Sequence, residues 1–294
     1  MTHVVKPANR PKVTARQALL PAQAFNPCVA YVVLMMTMMM IALLLATKES
    51  FFKAVAERDA DSVRTMLAAD PSLANAKNAK GTGAVISALF AIRKGEEVFP
   101  EPSTNATLQA VLAAKPKLDV YETAAVGTAP QLEAMLGKDA EGLKRPNAFG
   151  WTLLHLAAYA GNVGTTDLLI RKGADVNVRA LSKFRNTPLQ TALLTGQYAT
   201  AKLLLENGAD VLVRQAKGFT PMHEAALLGR ADLVELLLTH GAEINSMADN
   251  GHTPLAEAIR GHHDDLAAIL KSKGASLAPT PSEEDAPAAA KKKQ

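Results

Sequence analysis

The sequence predicts an all-α solenoid of stacked helix-turn-helix units, and three observations carry that prediction. Alanine and leucine dominate a 294-residue chain with only 4% aromatics, a usage that favours helices over the valine, tyrosine and threonine of a β-sandwich. Thr152, Thr187, Thr220 and Thr253 recur at spacings of 35, 33 and 33 residues, a period typical of repeat architectures. Each threonine opens a pair of apolar helical segments joined by a short turn. An apolar content of 48% excludes a fully disordered chain. The single cysteine, Cys28, excludes an internal disulfide and a cysteine-based metal site.

The first element is a basic tail. Residues 1–27 carry Lys6, Arg10, Lys12 and Arg16 with no acid, and the stretch is expected to be disordered. The tails 1–27 and 278–294 together hold seven of the 32 basic and three of the 28 acidic side chains, so the body between them is neutral. Nucleic-acid binding needs a basic stripe that displaces phosphate counterions, and a neutral body argues against it.

Residues 28–47 form the second element, a transmembrane or signal-anchor helix. Nineteen residues from Cys28 to Ala46 lack a charge; at about 1.5 Å per residue they reach roughly 28 Å, close to the hydrocarbon thickness of a bilayer. An uncleaved anchor makes the chain a single-pass membrane protein. Its orientation stays open, because Arg10, Lys12 and Arg16 on one flank are matched by Lys48, Lys53, Arg58 and Arg64 on the other. Two alternatives remain: initiation at Met35 or a following methionine, giving a cytoplasmic protein, or cleavage as a signal peptide, giving a periplasmic one. The second lacks a small-x-small site, since Leu44 stands at its outer position.

Residues 48–277 form the repeat domain, degenerate over 49–151 and regular over 152–277. The segment SFFKAVAERDADSVRTMLAADPSLANAKNAKG reads as two helices, the second ending before Pro71, and a loop. A second unit opens near Gly83 with AVISALFAIRK and resumes at TLQAVLAAK after an insert whose Pro100 and Pro102 argue for an ordered loop. A third joins LDVYETAAVG to PQLEAMLGKDAEG.

In the regular units the threonine N-caps the first helix through its hydroxyl, and Pro188, Pro221 and Pro254 occupy a first turn where no backbone donor is missed. Ala157, Ala192, Ala225 and Ala258 let paired helices approach, and the leucine runs at 203–205 and 236–238 fill the interior. Gly161, Gly196 and Gly229 turn the chain between helices; His262 replaces glycine in the last unit, which is therefore expected to be irregular. Residues 278–294, with prolines and mixed charges, read as a disordered tail.

The openings TLLHLAAYAGN, TPLQTALLTGQ, TPMHEAALLGR and TPLAEAIRGHH, each with a second helix ending near a glycine, resemble the ankyrin repeat family in period and in its T-P-L-H-x-A signature. That resemblance implies a curved solenoid of about seven helix pairs with projecting hairpin fingers. His155 and His223, at the fourth position, would then brace neighbouring fingers. The residues before each threonine, Trp151, Asn186, Phe219 and His252, would form a row on the fingers, and Leu156, Thr191, Glu224 and Glu257, at the fifth position, would line the inner groove. The finger from Val178 to Asn186 has two extra residues and carries Arg179, Lys183, Phe184 and Arg185, followed by Arg214 and Lys217 on the next. Such a basic, aromatic lip suits an acidic partner segment.

No catalytic motif accompanies this pattern. Phosphate-loop and nucleophile-elbow signatures are absent, Gly81-Thr82-Gly83 lacks the third glycine of a dinucleotide site, and Leu227 stands where a zinc-protease helix beginning at His223-Glu224 needs its second histidine. His252, His262, His263, Asp264 and Asp265 read as solvated polar side chains rather than metal ligands, and Asn105-Ala106-Thr107 matches a glycosylation acceptor. The expectation is a non-enzymatic protein-interaction scaffold, membrane-tethered through 28–46, with no cofactor, nucleic acid or small-molecule substrate. Its alternative is an exported or envelope stress factor that inhibits or chaperones a partner enzyme.

Overall fold

The computed structural model describes residues 35–38, 47–91, 104–137 and 141–277. The chain divides into two units, Met1–Thr47 and Lys48–Gln294. In the first, residues 35–38 are helical and Met35, Met36 and Met38 are exposed. The rest of the expected 28–46 span, the tail 1–27, the insert residues Phe99 to Pro102 and the tail 278–294 lie outside the described residues. Among the described residues no helix is long and apolar enough to cross a membrane.

The second unit is built from helix pairs. The first pair is α1, covering 48–56, and α2 (Ala60–Ala69); the next are α3 (Ala84–Leu89) with α4 (Ala106–Ala113) and α5 (Val120–Val126) with α6 (Ala129–Leu136). Four regular pairs follow: α7 (Leu153–Ala160) with α8 (Val163–Arg171), α9 (Pro188–Leu194) with α10 (Tyr198–Glu206), α11 (Pro221–Leu227) with α12 (Ala231–Thr239), and α13 (Pro254–Arg260) with α14 (Asp264–Ser272). No strand occurs among the described residues; an isolated bridge joins Lys77 to Gly83.

Local chemistry sets these boundaries. Thr152, Thr187, Thr220 and Thr253 sit in extended backbone as N-caps, and Thr187 and Thr253 hydroxyls accept from the amides of Gln190 and Ala256. In the two histidine-bearing units the fourth-position ring takes over part of the capping, since Thr152 N–H lies 3.3 Å and Thr220 N–H 3.2 Å from Nδ1 of His155 and His223. The left-handed turn expected between helices is present at Gly161, Gly196 and Gly229, and His262 adopts it too at φ 58°. The terminal repeat is regular, contrary to the sequence expectation, because α14 matches the nine-residue length of α8, α10 and α12. Histidine bears the left-handed conformation at a modest steric cost for a single residue.

First helices stack on first helices along α5, α7, α9, α11 and α13, and second helices stack on one another along α6, α8, α10 and α12. The apolar interior falls into two clusters that meet at α7. Leu153, Leu154, Ala157 and Ala158 join the cluster running to Leu270, whereas Leu156 and Tyr159 join the N-terminal cluster with Phe51, Leu89 and Leu108. This placement puts α7 and its preceding loop beside the end of α3, where the candidate site forms.

A candidate protein-docking surface on the fingers

The loops between helix pairs are tied into hairpins and then to one another. In three of them the same pair of backbone bonds closes the turn: Asn147 N–H to Trp151 O and Gly150 N–H to Asn147 O, then Gln215 with Phe219 and Gly218, then Ala248 with His252 and Gly251. Adjacent hairpins are linked by Leu181 N–H to Gly150 O, Ala216 N–H to Phe184 O and Asp249 N–H to Lys217 O, at 2.8 to 3.0 Å. The hairpins therefore form a continuous ledge. Arg179 donates to Arg214 O and Arg214 to Met247 O, so two cations of the expected basic lip are committed to bracing it.

Buried histidines tie this ledge to the helices beneath. Nε2 of His155 donates to Asn186 O at 3.0 Å and Nε2 of His223 to His252 O at 3.0 Å, each reaching the last residue of the next loop. A carbonyl can only accept, so Nε2 carries the proton and Nδ1 accepts from the threonine hydroxyl, at 2.9 Å in one unit and 2.8 Å in the other. Burial disfavours the imidazolium and lowers the His155 pKa to about 4; it lowers that of His223 in the same direction.

A model of ankyrin repeats, in three copies, matches residues 122–215 and 212–280. The chain belongs to the ankyrin repeat family. No curated protein is detectably similar to it in sequence. Ankyrin repeats mediate binding of protein partners, and the finger row just described is the surface on which this chain's sequence had pointed to such contacts.

The four residues preceding the repeat threonines differ in exposure. Trp151 is half-buried and packs edge-on against Phe90 at 5.1 Å and Tyr159 at 5.4 Å between ring centroids. Asn186 is buried, Phe219 is half-buried over the His223 ring at 5.1 Å, and His252 is half-buried with Nδ1 2.7 Å from Glu257. Phe184 and Arg185 project from the long finger and are exposed, Phe184 by 51%. Lys183 lies over the Phe184 ring, its Nζ 4.8 Å from the centroid.

The fifth-position residues lie elsewhere than the resemblance implied. Leu156, Thr191, Glu224 and Glu257 are all buried, so they offer no groove surface. First helices of adjacent units pack against one another, and at this position the Thr191 hydroxyl donates to His155 O of the preceding unit, so the side chain is enclosed rather than presented to a groove. Glu257 is held by Arg260 through two bonds of 2.6 and 2.9 Å as well as by His252. Glu224 accepts one bond from Gln215 and leaves Oε2 without a partner, and desolvation raises its pKa well above the ordinary carboxylate range.

Three residues that sequence reasoning missed complete the surface. Phe90 at the end of α3, Phe149 in the first finger of the row and Leu194 at the end of α9 join Trp151, Phe184 and Asn186 around a cavity of about 520 Å³. Phe149, two residues before Trp151, was visible as an aromatic in a loop; nothing in the sequence placed Phe90 near it. Among the described residues no group of three or more His, Cys, Asp or Glu is arranged to hold a metal ion. The glycosylation pattern is closed, since Asn105 is buried, N-caps α4 and donates to Ala88 O.

Proposed function

We propose that this ankyrin repeat chain is a non-enzymatic docking protein whose partner sits on the finger ledge around Phe149, Leu181 and Phe184. The observation that carries this reading is their exposure. Phe149 is 43%, Leu181 78% and Phe184 51% exposed on three linked loop positions, although an apolar side chain in an unpartnered loop gains nothing from such a place. Aromatic anchors of this kind dominate binding energy at interfaces. The ledge is preorganised by its backbone bonds, so little conformational entropy is lost when a partner arrives.

The reading extends to a solenoid of about seven units over 48–277. The N-terminal loop supports it: Asn78 N–H bonds to Thr82 O and Gly81 N–H to Asn78 O, while Asn78 Oδ1 accepts from Lys80 and Thr82. That is the pattern of Asn147, whose Oδ1 accepts from Phe149 and Trp151. A tether through residues 28–46 also belongs to the proposal, supported by their nineteen uncharged residues; intact mass in membrane and soluble fractions tests it, with a soluble, shortened species as the contrary result.

Docking is tested by placing a photo-crosslinking amino acid at Phe184, at Phe149 and, as control, at the exposed Lys202 of α10 in cells that make the protein. A discrete protein adduct at the finger positions and none at Lys202 is expected. Adducts at the outer helix alone, or none at either finger position, overturn the reading.

A further inference from the structure

Within the four regular pairs, two seams are fastened by the same two devices, and the seam between them has neither. The first device is a histidine strut. His155 on α7 donates from Nε2 to Asn186 O in the loop before α9, and His223 on α11 donates to His252 O in the loop before α13, both at 3.0 Å. Gln190 holds the matching place on α9, and its buried Nε2 has no partner, so it does not reach Phe219 O in the loop before α11. The second device is an asparagine clasp after the second helix. Asn177 donates to Gly208 O and accepts from Asp210 N–H, and Asn245 donates to Gly274 O and accepts from Ser276 N–H. Leu212 stands at the matching position after α10, 46% exposed, with no polar side-chain atom to offer Gly241 or Glu243.

The first helices repeat the difference, since α9 and α11 are less closely apposed than α7 and α9 or α11 and α13. Across this middle seam run a backbone bond between fingers, Ala216 N–H to Phe184 O at 3.0 Å, and two arginine contacts, Arg179 to Arg214 O and Arg230 to Gly196 O. Arginine is a long side chain with many rotamers, so it follows a small movement that a histidine ring or an asparagine amide cannot.

We infer that the seam between α9–α10 and α11–α12 is a hinge built into the regular stack, which opens there before its other two seams part. Stacked repeats are held by interface terms between nearest neighbours, so an interface that lacks two fastenings has the lower opening free energy. The blocks on either side keep their own, through His155 and Asn177 on one and His223 and Asn245 on the other. On opening the arginines remain as tethers and the Ala216 bond breaks. Its acceptor is the carbonyl of Phe184, so the finger that carries this exposed ring is freed on one side.

Three equivalent amides supply the test, because Leu181, Ala216 and Asp249 each donate to a carbonyl of the preceding finger at 2.8 to 3.0 Å. Site-resolved hydrogen exchange is measured on the full-length protein at a series of low urea concentrations. Ala216 should be the least protected of the three relative to its unfolded rate, with a urea dependence that marks exposure of surface between helix pairs. Leu212→Asn combined with Gln190→His restores clasp and strut, and should raise Ala216 protection about fivefold for each hydrogen bond regained while leaving Leu181 unchanged. Asn177→Leu, at an exposed position, should lower Leu181 protection by removing the clasp from the seam before. Equal protection of the three amides in the wild type, exchange at Ala216 that ignores urea, or a restored variant in which Ala216 exchanges as before overturns the inference.

Discussion

Acidification is expected to weaken the domain through His155. The ring is fully buried, donates from Nε2 to Asn186 O and accepts at Nδ1, so a second proton would place a charge where water cannot solvate it. Its folded pKa is about 4, below the ordinary histidine value, so the unfolded chain takes up the proton first as pH falls. The stability of the neutral ring is therefore fully present above about pH 6.5 and is lost progressively down to about pH 4. Between pH 7 and pH 4.5 the loss is about 2 to 3 kcal/mol, since each tenfold difference in proton affinity between the folded and unfolded chain is worth about 1.4 kcal/mol. Wild-type curves alone cannot isolate it, because Glu224 acts in the opposite sense. His155→Gln supplies the reference. Gln190 already occupies the matching place in the next repeat, where it accepts from Thr187 N–H, so the side chain fits and does not titrate. Urea unfolding of both proteins at the two pH values, followed by Trp151 fluorescence, reads the region directly, since the tryptophan ring lies 6.0 Å from His155. The wild type should lose about 2 to 3 kcal/mol more than the variant on acidification; equal losses would refute the buried neutral imidazole.

Three further outcomes follow from the same contacts. Glu224 is protonated in the fold at pH values where the unfolded chain has already released its proton, so wild-type stability should fall relative to Glu224→Gln as pH rises above about 4.5, by denaturant titration at pH 4 and pH 8; parallel curves count against the buried neutral acid. Gly150→Ala should destabilise and separate the first two linked hairpins, because at φ +79° a Cβ there would lie 2.8 Å from the Leu181 carbonyl carbon. Gly81→Ala, at φ +77° with open space, should cost only about 1 kcal/mol; calorimetric melting of the two variants distinguishes collision from conformation. Removing the guanidinium that holds the buried Glu257 by Arg260→Ala should cost about 2 kcal/mol at pH 7, with His252→Ala compounding rather than adding to the loss; a thermodynamic cycle over both sites measures this.

The fifth repeat position shows how far linear reading goes. Threonine and glutamate at Thr191, Glu224 and Glu257 look like surface residues, yet all three are buried between first helices, with their polar atoms turned to backbone, Gln215 or Arg260. Only the stacking of one unit on the next sets that burial, and a sequence states the unit far more clearly than the stack.

What the residues determined alone is everything local: the threonine starts, the proline first turns, the left-handed turns between helices, and the histidines poised one turn from their caps. These depend on contacts within a few positions, so their signal survives in the linear order, and the 33-residue period repeats it until it is unmistakable. Tertiary structure alone decided that Phe90 and Phe149 come together with Trp151 and Phe184 around one cavity, and that Arg179 and Arg214 brace rather than bind. The first of those outcomes arises where a degenerate unit without the threonine signature packs against a regular one, and the second where the loops of regular units meet. The partners there come from different repeats, and their proximity is set by how the helices stack, which no spacing along the chain encodes.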